Sequence, residues 1–297
     1  MKLVRFIVVF CAFILFSNMI VSQDKNEVQV LLLAGQSNMA GAGDYDDLDE
    51  TIKLRIQKVA HRVSLSFNGK KAQPLSYYKN KPSKKYKFLK RFGPELLLGL
   101  TLAEKNPDKE YLLIKRSQGG TSLHGAWNPN WTADKAKMME KGEKKQNMKL
   151  YELHISDIKR NLKELEKTQK SYNIIGLFWM QGENDAISEV SAKNYKNNLR
   201  SLVYAYRKEF DDKELPFVFG QINSRYGVKG GADLVRKNME KFEVQDYYSK
   251  LIRTTKDTSW SDFPKWSDNV HYNAEGQKRL GIAFAKAFFE IKEKLLR

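Results

Sequence analysis

Short apolar runs alternate along the chain with longer amphipathic segments. Four short runs are continuously apolar and rich in branched or aromatic residues, as expected of strands buried on both faces of a parallel sheet. They lie at residues 28–34, 111–116, 174–180 and 216–222. The segments with helical spacing lie at residues 94–106, 148–168, 188–209, 232–248 and 274–296. This alternation predicts a three-layer α/β/α sandwich with a mainly parallel sheet of about five strands.

Two regions have no strong period, residues 44–92 and 121–147. Residues 61–75 alternate weakly and predict either a second strand or a small hairpin, and residues 76–92 predict a basic loop. We expect both regions at the rim of the sheet near strand ends, where open α/β sheets place their sites. No repeat or low-complexity linker divides the chain, which favours one domain.

The N-terminal segment has the composition of a secretory signal. Lys2 and Arg5 precede an apolar stretch at residues 6–16, and small or polar residues follow it. We expect residues 1–22 to be a cleaved signal peptide. Residues 23–297 are then a single exported domain, periplasmic or secreted, without stable membrane insertion. An uncleaved membrane anchor is the alternative.

Cysteine content and charge narrow the classes of partner and chemistry. Cys11 is the only cysteine, so a cleaved chain would contain neither a disulfide nor a cysteine nucleophile. The net charge is +17, and +15 without Lys2 and Arg5, with much of the excess at residues 77–91 and 135–149. For an exported protein this surface favours acidic polysaccharide or an anionic envelope over nucleic acid. A solvated basic face without a partner is the alternative.

The first predicted strand ends abruptly and presents a serine. In the stretch GQSNM, Gly35 makes a turn, and Ser37 lies between two residues with amide side chains, Gln36 and Asn38. This places Ser37 at a helix start, where free backbone N–H groups favour a developing negative charge. The alternative is that Ser37 or Asn38 only caps the helix. A serine needs a base before it can act as a nucleophile.

The candidate base is His271, near the other end of the chain. Asp268 precedes it by three residues on a predicted turn, a spacing that lets the carboxylate bind the imidazole Nδ1 and fix its tautomer. No acid precedes the other histidines, His61, His124 and His154, by three residues. Asp268 as an ordinary turn residue is the alternative.

Two other predicted strands end in polar, glycine-bearing turns. Gly119 and Gly120 allow backbone N–H groups to approach a ligand closely. In the stretch QGEND, Gln181 offers an uncharged donor of the type that stabilises an oxyanion. Each stretch is also an ordinary turn sequence, but their convergence with Ser37 at one rim favours an active site.

In this order, the stretches GQSN, GGT, QGEND and DNVH resemble the motif blocks of the SGNH hydrolase superfamily. More narrowly they resemble its sialate O-acetylesterase-like branch, which includes the acetyl xylan esterases of carbohydrate esterase family six. The stretch FGPELLLGLTLAE at residues 92–104 also matches that branch. The resemblance spans residues 31–281 and implies the flavodoxin-like SGNH fold. It implies Ser37 as nucleophile, His271 as general base and Asp268 as the acid that orients the base.

The resemblance also implies an oxyanion hole. Its donors would be the backbone amides of Ser37 and of the Gly119–Gly120 turn, with Gln181 replacing the superfamily's asparagine. The replacement leaves open whether the Gln181 side chain reaches the oxyanion or only supports the loop. Four neighbours are expected to support the site: Gln36, Asn38, Glu183 and Asp185.

These expectations describe a secreted serine esterase that removes O-acetyl groups from a carbohydrate through an acyl-enzyme. The expected substrates are acetylated xylan-type or other plant polysaccharides, or sialic acid; no metal or cofactor is expected. The alternative is a carbohydrate-binding protein without turnover, which uses the same pocket and stacks sugar rings on tryptophans. Those tryptophans are Trp127, Trp131, Trp260 and Trp266. An α/β-hydrolase elbow would need glycine where Met39 stands.

Overall fold

The computed structural model describes residues 27–255 and 261–296, so the predicted signal peptide at residues 1–22 and Trp260 lie outside the described residues. The strands in the described ranges are β1 (Val28–Gly35), β2 (Gly43–Asp44), β3 (Val63–Phe67), β4 (Gln73–Pro74), β5 (Tyr78–Lys79), β6 (Lys90–Phe92), β7 (Glu110–Ser117), β8 (Tyr172–Met180), β9 (Phe217–Gly220) and β10 (Ser249–Ile252). The α-helices are α1 (Ser37–Ala40), α2 (Glu50–Val59), α3 (Glu95–Lys105), α4 (Ala133–Met139), α5 (Glu143–Gln146), α6 (Leu150–Lys167), α7 (Glu189–Glu209), α8 (Gly231–Gln245) and α9 (Ala274–Leu295). In these same ranges no helix combines the length and apolarity that crossing a bilayer requires.

Strand β1 lies at the centre of a seven-stranded sheet with the order β10-β9-β8-β1-β7-β3-β4. It pairs in parallel with β7 on one side and with β8 on the other. The edge strand β4 runs antiparallel to β3. The predicted mainly parallel sheet between helices is confirmed. It is wider than about five strands because β4 and β10 extend its two edges.

Alternate side chains of β1 enter two separate cores. Leu31 and Leu33 pack on one face with residues of α2, α3 and α9. Leu32 and Ala34 pack on the opposite face with residues of α6, α7 and α8. Because both faces are covered, every residue of β1 is buried and the sequence shows a continuous apolar run.

The region 44–92 contains more regular structure than its sequence pattern indicates. Strands β3 and β4 form the predicted hairpin, and β3 also joins the main sheet beside β7. Short strands β5 and β6 interrupt the expected basic loop and form a small antiparallel sheet with β2. The Tyr78 hydroxyl donates a hydrogen bond of 2.5 Å to the Ala40 carbonyl at the end of α1. The basic segment is therefore fastened next to the turn that follows β1.

Candidate active site

The turn after β1 brings Ser37 to the rim at the carboxyl end of the sheet. Gly35 has φ +152°, and a Cβ there would lie 2.1 Å from the Met180 carbonyl oxygen, so only glycine fits. Ser37 begins α1 and is half-buried, whereas the residues on either side of it are buried. The N-cap of α1 is Gln36, which makes no side-chain capping bond. The interpretation of Ser37 or Asn38 as a helix cap is therefore wrong.

The buried side chain of Asn38 joins the first turn to the last. Its Nδ2 donates to the Val270 carbonyl over 3.0 Å and to Glu183 Oε1 over 2.8 Å. Its Oδ1 accepts from the Tyr272 backbone N–H over 3.1 Å. Val270 and Tyr272 are the two neighbours of His271, so the side chain of the residue after Ser37 is hydrogen-bonded to the backbone on both sides of that histidine.

His271 and Asp268 form the side-chain pair that their spacing predicts. His271 Nδ1 lies 2.7 Å from Asp268 Oδ2. The other carboxylate oxygen accepts the backbone N–H groups of Val270, over 2.9 Å, and of His271, over 3.0 Å. Because an ionised carboxylate can only accept hydrogen bonds, we assign the imidazole proton to Nδ1, which leaves Nε2 free to accept a proton.

Burial and the surrounding charges and hydrogen bonds keep His271 neutral and Asp268 ionised. The pKa of His271 is lowered, first because burial disfavours the imidazolium; Asp268 opposes this and the charges of Lys85 and Arg91 add to it. Burial would raise the pKa of Asp268, but hydrogen bonds from the turn backbone, Lys85 and His271 hold it well below its ordinary value. A neutral imidazole beside an ionised carboxylate is the arrangement that a general base requires.

The glycine turn after β7 packs directly against Ser37. A Cβ on Gly119 would lie 3.4 Å from the Ser37 Cβ, and Gly120 adopts φ +63°. Lys145 Nζ donates to the carbonyls of Gly119, over 2.8 Å, and Gly120, over 3.1 Å. The N–H of a peptide points opposite to its carbonyl, so the N–H groups of these same two peptides, which belong to Gly120 and Thr121, face away from Lys145. Within the described ranges, the N–H groups of Ser37, Gly119 and Gly120 donate to no protein acceptor.

The side chain of Gln181 is fully buried and is engaged with protein groups. Its buried Nε2 has three acceptors: Asp185 Oδ2 at 2.5 Å, the Thr121 carbonyl at 3.1 Å and Gln36 Oε1 at 3.3 Å. Its Oε1 accepts from the Tyr195 hydroxyl over 3.2 Å. These contacts correspond to loop support, one of the two roles that the sequence left open, and differ from the expected placement in an oxyanion hole.

Two buried carboxylates fix the segment that follows the glycine turn. Asp185 accepts the backbone N–H groups of Leu123, over 2.8 Å, and His124, over 3.0 Å. Glu140 accepts the backbone N–H of Ser122 over 2.9 Å and its hydroxyl over 2.7 Å. Burial raises the pKa of both Asp185 and Glu140, although these hydrogen bonds oppose the shift. Asp185 was expected to support the site, whereas Glu140 has no sequence signal.

Asn184 is a buried side chain of the QGEND turn to which the sequence assigned no role. Its Nδ2 is buried and has no hydrogen-bond partner among the described residues. Its backbone N–H donates to Gln36 Oε1 over 3.4 Å, next to Ser37. Neighbouring Glu183 is fully buried, which raises its pKa, and it binds Asn38. An unpaired buried donor beside the nucleophile turn is unusual and suggests a function.

The tryptophans proposed for sugar stacking occupy different environments. Trp127 is fully buried and packs edge-on against Trp179, with ring centroids 5.2 Å apart. Its proposed contact with a sugar is therefore wrong, because it belongs to the core. Trp131 is half-buried with Lys149 over its ring. Trp266 is half-buried near His271 and stacks on Phe88 at 6.0 Å.

No group of three or more His, Cys, Asp or Glu side chains in residues 27–255 and 261–296 is arranged to hold a metal ion.

Comparison with known families gives a match over most of the chain. Residues 27–290 match the family model described as carbohydrate esterase, sialic acid-specific acetylesterase. A probable carbohydrate esterase of Arabidopsis thaliana is 27% identical over 130 residues, which are 43% of this chain and 46% of that protein. The match thus spans about half the length of this curated relative.

Solved structures share the fold. A protein from Arabidopsis thaliana superposes with a TM-score of 0.62 and 21% identity, covering 89% of this chain and 98% of its own. A carbohydrate acetylesterase from Xanthomonas citri gives a TM-score of 0.57 and 17% identity, covering 90% of this chain and 56% of its own. At these identities the likeness supports the architecture of the sheet and its helices.

Proposed function

Since this chain belongs to the sialic acid-specific acetylesterase family of carbohydrate esterases, we propose that it removes O-acetyl groups from a carbohydrate by a serine-esterase mechanism. Ser37 is the nucleophile, His271 the general base and Asp268 the acid that orients it. The observation that carries this assignment is the set of hydrogen bonds from the Asn38 side chain to the backbone of both neighbours of His271. It supports a shared rim position for the serine and the imidazole, although Asn38 and His271 are 233 positions apart in the sequence.

The reaction has two halves. In the first, the Ser37 hydroxyl attacks the acetyl carbonyl while His271 Nε2 takes its proton, and the sugar hydroxyl then leaves with that proton. In the second, a water molecule gives a proton to the same nitrogen and attacks the acetyl-serine, which releases acetate and restores the hydroxyl. Asp268 remains ionised and stabilises the imidazolium in both halves.

The oxyanion of each tetrahedral intermediate needs fixed donors. We assign this role to the backbone N–H groups of Ser37 and of the Gly119–Gly120 turn, which donate to no acceptor within the described residues. The unpaired Nδ2 of Asn184 is a further donor candidate. Gln181, whose amide donates to the Thr121 carbonyl and to Asp185, supports the turn.

The substrate that we propose is an acetylated sugar with an acidic group. The basic loop at residues 76–92 reaches His271 through Lys85, and Arg91 lies 4.9 Å from the Tyr86 ring centre beside it. Positive charge at the mouth of a site attracts anionic substrates, and salt screens this attraction. We also propose that the protein reaches such glycans by export, with residues 1–22 as the signal peptide.

Acetate release tests the proposed activity. The substrates are acetylated xylan, acetylated pectin, O-acetylated sialic acid and a neutral acetylated hexose, each at low and high salt. Ser37→Ala and His271→Ala are expected to abolish turnover, whereas the control variants Ser201→Ala on α7 and His61→Ala at an exposed position retain it. Equal turnover in all variants refutes the mechanism, and saturable glycan binding without acetate release favours a carbohydrate-binding protein.

The salt series tests the substrate charge. If turnover of acidic and of neutral substrates falls equally with salt, the preference for acidic sugars is refuted.

A further inference from the structure

A lysine of the basic loop contacts both members of the proposed catalytic pair. Lys85 Nζ forms an ion pair with Asp268 Oδ2 and lies 2.9 Å from His271 Nδ1. His271 Nδ1 lies 2.7 Å from the same Asp268 oxygen. The three groups form a closed triangle in which one carboxylate oxygen faces an ammonium and an imidazole.

The contacts around Lys85 fasten it in this position. Its ammonium lies 5.2 Å from the ring centre of Tyr86, and the guanidinium of Arg91 lies 4.9 Å from that ring. The Tyr86 ring meets the His271 ring edge-on, with centroids 6.3 Å apart. The charged groups that act on the His271 imidazole within the described residues are Lys85 and Arg91 of the basic segment and Asp268 of its own turn. The charge near the imidazole is therefore a balance of two cations against one carboxylate.

Asp268 has no spare oxygen to relieve this arrangement. Its Oδ1 already accepts the backbone N–H groups of Val270 and His271. Its Oδ2 must therefore serve both the Lys85 ammonium and the imidazole Nδ1–H. Sharing the carboxylate weakens its stabilisation of an imidazolium, and the ammonium itself repels that cation.

We propose that Lys85 is a positioning residue that shares the Asp268 carboxylate with His271, keeps the imidazole neutral in mildly acidic surroundings and so extends esterase activity to lower pH. This inference rests on the proposed function of Ser37, His271 and Asp268. Lys85 holds Asp268 against the turn, and its charge disfavours protonation of the base before the substrate arrives. It takes no proton from the substrate and gives none to it.

The test compares pH profiles of kcat/KM with a neutral ester, 4-nitrophenyl acetate, so that charge on the substrate plays no part. Lys85→Met is expected to move the acidic limb to higher pH, with at least about a threefold fall on the acidic side relative to the plateau. Lys85→Arg, which keeps the cation, retains the wild-type profile. Lys84→Met removes the same charge from the adjacent exposed lysine and also retains it. A Lys85→Met profile that overlays the wild type, or an equal shift in Lys84→Met, overturns the proposal.

A titration of the His271 imidazole by NMR gives a readout that does not depend on turnover. The imidazole of Lys85→Met is expected to become protonated at higher pH than that of the wild type. If the wild-type protein hydrolyses no ester, the proposed function fails while this titration still decides the role of Lys85. If the wild type is an esterase that requires Ser37 and the titration is unchanged in Lys85→Met, the function stands and the role of Lys85 is refuted.

Discussion

Asn38 is hydrogen-bonded to the backbone on both sides of His271, through the Val270 carbonyl and the Tyr272 N–H. The two segments are at opposite ends of the chain. A parallel sheet brings the ends of its strands to a single edge, but it does not determine which loops contact each other there. The hydrogen bonds of Asn38 join the serine turn to the histidine turn. Glu183 completes the link by accepting from the same Nδ2.

Asn38→Ala should therefore separate activity from folding. Loss of these hydrogen bonds displaces the imidazole from the serine, and we expect kcat to fall on the order of a hundredfold with little change in KM. Asn161→Ala is the matched control, because Asn161 is buried and its Nδ2 binds Ser66 Oγ and the Asp157 carbonyl. The measurements are steady-state kinetics and thermal unfolding of both variants. A comparable loss of kcat in the two would mean that the effect of Asn38→Ala is one of general packing.

The acidic limb of the activity profile should lie below pH 6.5, the ordinary histidine value, because burial lowers the pKa of His271. A base works only when neutral, so activity is lost as pH falls through the pKa of the folded enzyme, which lies on the acidic side of 6.5. The measurement is kcat/KM against pH for a neutral ester. A midpoint above 6.5 would show that the imidazole is not held as the structure describes.

Lys145 should matter for turnover although it is remote from the sequence motifs. Its two hydrogen bonds fix the carbonyls of Gly119 and Gly120 and hence the direction of the N–H groups of Gly120 and Thr121 in the same peptides. We expect Lys145→Met to lower kcat about tenfold, less than the hundredfold to thousandfold cost of deleting an oxyanion donor. Lys144→Met, at the exposed neighbouring position in α5, serves as the control. Equal kinetics in both variants would exclude Lys145 from the site.

Asn184 offers a separate test of the oxyanion hole. If its free Nδ2 donates to the developing anion, Asn184→Ala lowers kcat about a hundredfold to a thousandfold and leaves KM nearly unchanged. Asn184→Asp keeps the shape, replaces the donor by an acceptor and should be equally impaired. Full activity in a folded Asn184→Ala protein would remove this residue from the mechanism and leave only backbone donors.

The sequence predicts the layers of the fold because a strand covered on both faces must be apolar throughout, as β1 is. It does not predict α2 or β10. In α2 only Ile56 and Val59 are buried, so its apolar stripe is narrow, and β10 is a four-residue edge strand. Both lack the length or period that a pattern needs.

The same limit applies to the site. Ser37, Asp268 and His271 stand in local motifs, and their spacing predicts the turns that present them. Lys145 and Lys85 reach the site from segments without a period, through contacts that only the tertiary arrangement creates. Residue type indicates that Gln181 can donate a hydrogen bond but not which acceptor it meets, and the structure supplies buried ones.

Covalent labelling measures whether His271 activates the Ser37 hydroxyl. The wild-type protein, His271→Ala and Ser37→Ala are treated with a fluorophosphonate and analysed by intact mass and peptide mapping. We expect a single adduct on Ser37 in the wild type, greatly slowed labelling in His271→Ala and none in Ser37→Ala. Esterase activity with the label on another residue would refute Ser37 as the nucleophile, and labelling of Ser37 at the same rate without His271 would refute His271 as its base.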